Sequence, residues 1–491
     1  MLDNLKIAVH IFMGVPLFAI LINNLFSRAT AQKICFKVAG AAALLQIAAA
    51  ISCVWLLFVS GRAYSSFSPF WDMNALPGAA RFYVDMFSLT VLATSGLIAF
   101  IALLTASAGM KNKGLHFSNL LMVIMLGMNG LVMVRDLFSL YIFLEVTGIA
   151  SFVLIALNRD KRGLEGAFKY LAMSAIASVF LLASLAFIFM ESGDLSFSAV
   201  AATLNNWTEA SQPPLLLAAC LFFISAFAIK AALFPFHGWL PDAYQSAPAA
   251  VSVLLGGIVT KTAGVYAIVR MLSEVFGGLL NVRIVFAILG LISILYGALA
   301  AIGQRDFKRM LAYSSISQMG YIVLGAASGS LLGLIGAILH FFNHATFKST
   351  LFVNAASLEE QVGSTDIELL PGGLQSRMPL TGVSSVLAFF STAGIPPLAG
   401  FWSKMLIILA VWQAGFAAMA GVALFASIIT AAYFLRLQRK VFFGQPDDSS
   451  SSIKEVKGPL ALAEVLLSVV TVGCGVLFPA LLLLLQARGL F

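Results

Sequence analysis

The sequence predicts an all-α polytopic membrane protein, with about fourteen transmembrane helices and two inverted five-helix repeats, each containing a broken helix. Three observations predict it. Of the 491 residues, 60% are hydrophobic and only 10% are charged, whereas a soluble domain carries roughly 25% charged residues. Apolar segments of about 20 residues, long enough to cross hydrocarbon, recur along the whole chain. Two of these segments are cut by prolines at corresponding places in two five-helix blocks.

Taken in order, the spans fall near 7–26, 34–59, 82–107, 117–134, 137–157, 167–190, 215–235, 250–271, 280–302, 310–327, 331–357, 381–412, 414–436 and 460–486. The first is too long for a signal-peptide core and has no persuasive cleavage site, so it reads as an uncleaved span. The organisation expected is N-terminal helices over 1–116, a first repeat over 117–271 and a second over 280–436, inverted because each block holds an odd number of helices. A polar loop over 437–459, with "QPDDSSSSIKEVK", follows; it is far too short to fold alone. The last helix covers 460–491.

The interrupted spans run into "FPFHGWLP", with Pro235, and through "GIPPLAG", with Pro396 and Pro397. Proline removes a backbone donor and clashes with the preceding turn, so each helix should break there. Irregular backbone at membrane depth is tolerated only where protein or a wet cavity satisfies it.

Loops after odd-numbered spans carry the basic residues, among them Lys33, Lys113, Arg159, Arg305 and Lys440, while the stretch 191–214 holds Glu191, Asp194 and Glu209 without Lys or Arg. The positive-inside rule then places odd loops in the cytoplasm and both termini outside it, in a prokaryotic inner membrane. The formal net charge of +8 reflects this bias rather than nucleic-acid binding, because no basic run has interleaved aromatics. Four scattered cysteines without a C-x-x-C pattern argue against an iron–sulfur or zinc site.

Against that apolar background several ionisable residues stand out. Glu145 lies near the centre of its span, Lys230 about a turn before the first break, and Lys261 near the middle of the next span. His340, His344 and Lys348 follow at i, i+4 and i+8, which stacks them on one helix face, and Lys404 comes just after the second break. Facing lipid, these lysines and the glutamate would cost on the order of 10–17 kcal/mol, so they must face one another or water. A lone lysine of this kind can also snorkel or pair structurally, and Lys348 and Lys404 are the most open to that reading. His237, just past the first break, serves equally well as a helix cap, a hydrogen-bond partner or a proton carrier. As a set, the residues suit proton transfer. Burial disfavours the charged form of a lysine and a nearby carboxylate favours it, so such a lysine exchanges a proton when its partner moves. Histidines at i, i+4 can share a metal, but no carboxylate or thiolate joins their stripe and Lys348 would repel a cation, so no metal is assigned.

These residues sit in "DLFSLYIFLEVTGIASFVLIAL", "KAALFPFHGWLPDAYQSAPAAVSVLLGGIVTK", "RDFKRMLAYSSISQMGYIVLG", "HFFNHATFKSTLFVNA" and "STAGIPPLAGFWSK". With them the chain resembles, over about 130–410, the antiporter-like subunits of respiratory complex I, the Mrp-type sodium/proton antiporters and the energy-converting membrane-bound hydrogenases. The resemblance implies fourteen helices with an inverted repeat. It matches Glu145 and Lys230 to the family's carboxylate–lysine pair and Lys261 to its central lysine. It also matches His340, His344 and Lys348 to the second half-channel, and Lys404 to the end of the proton path. One complex I paralogue carries glutamate where Lys404 stands, and another adds a lateral helix after the last span, which is not expected of this chain.

The expected function is a proton-translocating membrane subunit of a redox-driven or Mrp-type complex. Its partners would be further membrane subunits, including antiporter-like ones, together with lipid, protons and, as a second candidate cargo, sodium. There is no G-x-G-x-x-G after a strand and no Walker pattern, so no cofactor is assigned and electron transfer would belong to partners. The competing reading is a stand-alone secondary transporter of a small solute, with the broken helices forming its site.

Overall fold

A computed structural model describes residues 2–60, 64–67, 82–206, 214–445 and 452–487. The chain divides into two compact units, with the boundary between Phe286 and Ala287.

In the first unit, α1 (Leu2–Leu25) and α2 (Arg28–Ser60) lead to a two-stranded antiparallel ladder, β1 (Tyr64–Phe67) with β2 (Phe82–Asp85). This ladder departs from a purely helical chain. Its strands lie between two spans, where backbone groups can pair locally rather than along a helix. Then come α3 (Met86–Gly109), α4 (Gly114–Met133), α5 (Leu137–Ile155), α6 (Lys161–Ser192) and the short α7 (Phe197–Asn205). Next, α8 (Pro214–Lys230) stops at Lys230, and the chain turns past Pro235 into α9 (Trp239–Ser246). The following span starts as α10 (Ala249–Leu254), widens into π-helical turns at Leu255–Val259 and Lys261–Tyr266, and ends as α11 (Ala267–Glu274). It is buried along its whole apolar stretch.

Helix α12 (Leu280–Ile302) contains the boundary between units. The second unit continues with α13 (Phe307–Ala327), α14 (Leu331–Val362), α15 (Pro379–Ala393), α16 (Ala399–Gln413), α17 (Ala417–Leu437) and α18 (Pro459–Ala487). Helix α15 ends at Gly394, whose φ of +86° only glycine adopts without strain. Helix α17 runs on through a π turn to Phe442, so helix enters the stretch expected as loop from 437; within that stretch 446–451 lie outside the described residues, as do Glu209 and Phe491.

Among the described residues nine helices are long and apolar enough to cross a membrane, and four more apolar helices are shorter. Helices α13 and α14 are not among the nine, although they have 21 and 32 residues. Their sequences spend positions on buried Ser, Gln, Asn, His and Lys side chains, including Gln318, His340, His344 and Lys348.

Aspartates start several helices. Asp85, Asp136 and Asp306 cap α3, α5 and α13 by accepting the backbone N–H of Ser88, Ser139 and Arg309 at 2.7–2.8 Å, which satisfies a donor the first turn leaves open. Two of these caps share a second device. Around Asp136, Leu137 N–H donates to Leu195 O and Phe197 N–H to Arg135 O; around Asp306, Phe307 N–H donates to Thr365 O and Ile367 N–H to Arg305 O.

Candidate proton-transfer sites

In the first unit the site is built where α5, α6 and the end of α8 meet. Lys230 Nζ stands 3.3 Å from Glu145 Oε1 and donates to Ser174 Oγ at 2.8 Å. Ser178, one turn along α6, donates to the same Glu145 oxygen at 2.5 Å. The lysine side chain is 7% exposed and the glutamate 29%, so the carboxylate is the wetter or lipid-side member of a largely enclosed pair. Lys230 is the last residue of α8, and a cation near a helix C-terminus is favoured by the helix dipole.

Lys261 lies deeper, 1% exposed. Its Nζ donates to the Gly256 carbonyl five residues back across the π-helical region. Tyr244 gives its one hydroxyl proton to Leu255 O at 2.9 Å, so Thr260 Oγ1, also 2.9 Å away, donates to Tyr244 Oη. Nearby Gly264 explains how this helix approaches the break: a Cβ there would lie 2.4 Å from Ala231 Cα and 2.7 Å from Lys230 C. Only glycine allows the π-helical span to pass that close to the end of α8. His237 follows the break and stacks on Phe234, with ring centroids 5.5 Å apart.

In the second unit His340 is fixed from both sides. Its Nδ1 is 2.8 Å from Ser403 Oγ and its Nε2 is 3.2 Å from Gln318 Oε1. The Gln318 carbonyl oxygen only accepts, so the neutral ring carries its proton on Nε2 and Nδ1 takes the Ser403 hydroxyl. Ser403 Oγ also has the Gly400 carbonyl at 3.1 Å; turned there, the hydroxyl lets Nδ1 take a second proton. His344 stacks on His340 at 6.3 Å between centroids. Lys348 donates to Leu311 O at 3.0 Å. Lys404 donates to Thr392 O at 2.8 Å, in the last turn of α15, and lies over the Tyr321 ring at 4.7 Å. The helix break at Gly394 leaves that carbonyl within the lysine's reach.

The structure therefore joins Glu145 to Lys230 directly and places the ammonium groups of Lys261, Lys348 and Lys404 on backbone carbonyls. Sequence reasoning missed Ser174, Ser178, Gln318 and Ser403, the neutral partners on neighbouring helices. The first two repeat at i, i+4 within an apolar helix, which was a readable signal. It also missed a charge cluster at one end of the first unit. Arg270 grips both Asp85 oxygens at 2.6 and 2.8 Å and Glu274 at 2.7 Å, while Arg135 reaches Asp85 at 3.3 Å and Glu274 at 3.0 Å. Burial pushes the Asp85 carboxyl up, but the Arg270 charge and hydrogen bonds, then Arg135 and the Ser88 N–H, hold it well below the usual carboxylate range.

Fold and sites together define an integral, polytopic helical membrane protein that keeps ionisable side chains inside its bundles. Residues 134–430 match the family described as NADH:quinone oxidoreductase/Mrp antiporter, transmembrane. The chain is 35% identical to NADH-quinone oxidoreductase subunit N of Desulforudis audaxviator over 67% of this chain and 66% of that one. It is 32% identical to a Na(+)/H(+) antiporter subunit of Alkalihalophilus pseudofirmus over 80% and 79%. A chain in the structure of the Mrp complex from Dietzia superposes with a TM-score of 0.88 at 27% identity, covering 98% of this chain and 97% of that one. The chain belongs to the NADH:quinone oxidoreductase/Mrp antiporter family and is an antiporter-like membrane subunit.

Proposed function

We propose that this protein moves protons across the membrane, as one subunit of a larger assembly that is either redox-driven or of the Mrp type. The observation that carries the proposal is the Lys230–Glu145 contact at 3.3 Å between largely enclosed side chains. A lysine and a carboxylate so placed exchange protonation states when their separation changes, because each sets the other's preferred charge. Glu145, Lys230 and Lys261 serve as stations in the first unit, and His340, His344, Lys348 and Lys404 in the second. The second break, between Gly394 and Pro397, leaves the Thr392 carbonyl to Lys404.

The finer architecture belongs to the same proposal: fourteen spans, a repeat over 117–271 and an inverted repeat over 280–436. Two features support it. Helices α5 and α13 start with the same Arg-Asp cap and the same paired strand contact, at Asp136 and Asp306. Counting α8 with α9 and α15 with α16 as single interrupted spans, the breaks are also five spans apart. An odd offset inverts the second block. The basic loops then put both termini outside the cytoplasm, and a cytoplasm-specific reporter fused after Lys440 is active while one after Phe491 is silent.

The relatives are parts of assemblies by their names, and other membrane subunits, antiporter-like ones among them, are the partners proposed here. Protons are the cargo; sodium is the second candidate, separated by running the assay with and without it. Purification from native membranes followed by proton uptake into reconstituted vesicles tests the proposal. The chain is expected to bring further membrane subunits with it and the vesicles to take up protons. A chain that purifies alone and moves a small solute would establish the stand-alone transporter instead.

A further inference from the structure

We infer that Glu464, on α18, is an additional proton-holding site, connected to the loop carboxylate Glu455 through the hydroxyl of Thr381. None of the stations above includes it. Its proposed use in transport rests on the proton-translocating reading; its protonation does not.

Glu464 is 0% exposed and lies inside the apolar stretch of α18. Its polar partners are neutral. Ser357 Oγ donates to Oε1 at 2.7 Å, Thr381 Oγ1 lies 3.1 Å from each oxygen, and the Asn354 amide nitrogen, turned towards it, is 3.1 Å from Oε1. The helices packed on α18 are α14, α15 and α16. Their titratable residues are His340, His344, Lys348, Glu359 and Glu360 on α14 and Lys404 on α16, with none on α15. A bare carboxylate among neutral partners within a membrane span is strongly disfavoured.

The hydrogen bonds show where the proton sits. Glu455 accepts the N–H groups of Leu380 at 2.6 Å, Thr381 at 3.4 Å and Val456 at 3.1 Å, and Thr381 Oγ1 is 2.9 Å from its Oε1. The three N–H groups can only donate, two of them at the N-terminus of α15, where negative charge is favoured. Glu455 is thus the ionised member. A threonine hydroxyl has one proton; given to Glu455, it leaves the Thr381 oxygen able only to accept. Glu464 must then supply the proton in its own contact with Thr381, while its other oxygen accepts from Ser357. Transfer is balanced: Thr381 gives its proton to Glu455 as it takes the one from Glu464, and the negative charge moves from the loop to the span. The reverse step loads Glu464. Glu455 is partly exposed, and on the orientation proposed above it faces the cytoplasm. From Glu464 the buried polar side chains Ser357, Asn354 and Thr350 continue along α14, the helix that carries Lys348.

Infrared spectroscopy of the purified whole assembly tests this. The wild type is expected to show the carbonyl band of a protonated, buried carboxyl group, and Glu464→Gln to lack it. Thr381→Val should slow deuterium exchange at that band by about tenfold or more, the size of effect a positioned proton-transfer group gives, and Thr381→Ser should restore it. An unchanged band in Glu464→Gln overturns the inference. Should that variant fail to assemble, the Thr381 pair decides, since exchange as fast in Thr381→Val as in the wild type also overturns it. Proton uptake is read on the same preparations. An assembly that moves no protons yet loses the band in Glu464→Gln would refute the transport reading and leave the Glu464 site standing.

Discussion

Glu145 is held more closely by a serine than by its lysine. Ser178 Oγ lies 2.5 Å from Glu145 Oε1, while Lys230 Nζ is 3.3 Å away and closer to Ser174. A committed charge-assisted pair sits at about 2.7–2.9 Å. The lysine is therefore shared between the carboxylate and a neutral hydroxyl, an arrangement suited to separation. Lys230→Met leaves Glu145 with Ser178 and free to take up a proton. The assembly should form at normal levels and proton uptake should fall by about a hundredfold. If Lys230→Met instead removes the subunit from the membrane while Glu145→Gln is harmless, the contact is a structural bridge.

Gly264 offers a test that touches no ionisable group. An added Cβ would sit 2.5 Å from Ala231 N and 2.4 Å from Ala231 Cα, and backbone cannot move aside as a flexible side chain does. Gly264→Ala should push the end of α8, and Lys230 with it, away from the π-helical span. Overpacking of this kind costs about 1–3 kcal/mol, read as a lower melting temperature of the solubilised assembly, and uptake should drop in parallel. Gly109→Ala, which meets nothing within 4 Å, is the matched control. Wild-type uptake in Gly264→Ala would mean that Lys230 tolerates displacement.

The Asp85–Arg270 cluster should behave as structure rather than as a proton station. The Asp85 carboxyl is held below its ordinary value, so its contribution to stability is complete above the unfolded value of about 3.9 and is lost only as pH falls from there towards the folded value. No change from this source is expected across the neutral range. Asp85→Asn leaves Arg270, whose side chain is 6% exposed, short of its bidentate partner, and removing one member of a buried pair costs about 3–5 kcal/mol. The assembly should melt at lower temperature at pH 7, with the difference from wild type narrowing only in strong acid. A difference that instead titrates between pH 6 and 8 would make the cluster part of the proton machinery.

Much of this is legible in the sequence, for identifiable reasons. Apolar length gives spans, proline gives breaks, and a lysine in an apolar run must face inward. Glu145 and Lys230 therefore stand out in the sequence alone, without their contact at 3.3 Å. The neutral partners do not, because serine and glutamine occur throughout apolar helices and only packing shows which of them meet an ion. Ser403 on His340 and Ser178 on Glu145 are cases in point. The π-helical widening around Lys261 has no period that a pattern search detects, and Arg270 resembles an ordinary residue near the end of a span until Asp85, 185 positions away, is placed against it.

Lys261 gives the sharpest test of proton transfer. It is 1% exposed, and its ammonium donates to the Gly256 carbonyl of its own helix, with Thr260 committed to Tyr244. A lysine kept there only as a fixed charge and one kept to pass a proton predict different outcomes for two substitutions. Arginine preserves the charge but does not deprotonate in a protein; methionine preserves approximate bulk and abolishes the charge. As a proton station, Lys261 should tolerate neither change, and Lys261→Arg and Lys261→Met should both lose uptake by about a hundredfold or more. Assembly should remain largely intact in the methionine form, whose apolar chain suits the buried site. The arginine form carries a bulkier head into a packed region and needs its assembly checked by co-purification of the partner subunits. Proton uptake into vesicles, compared at equal protein content across the three forms, decides between the roles. Full uptake by a well-assembled Lys261→Arg form would show that a fixed positive charge suffices at this position, and would remove Lys261 from the proton path.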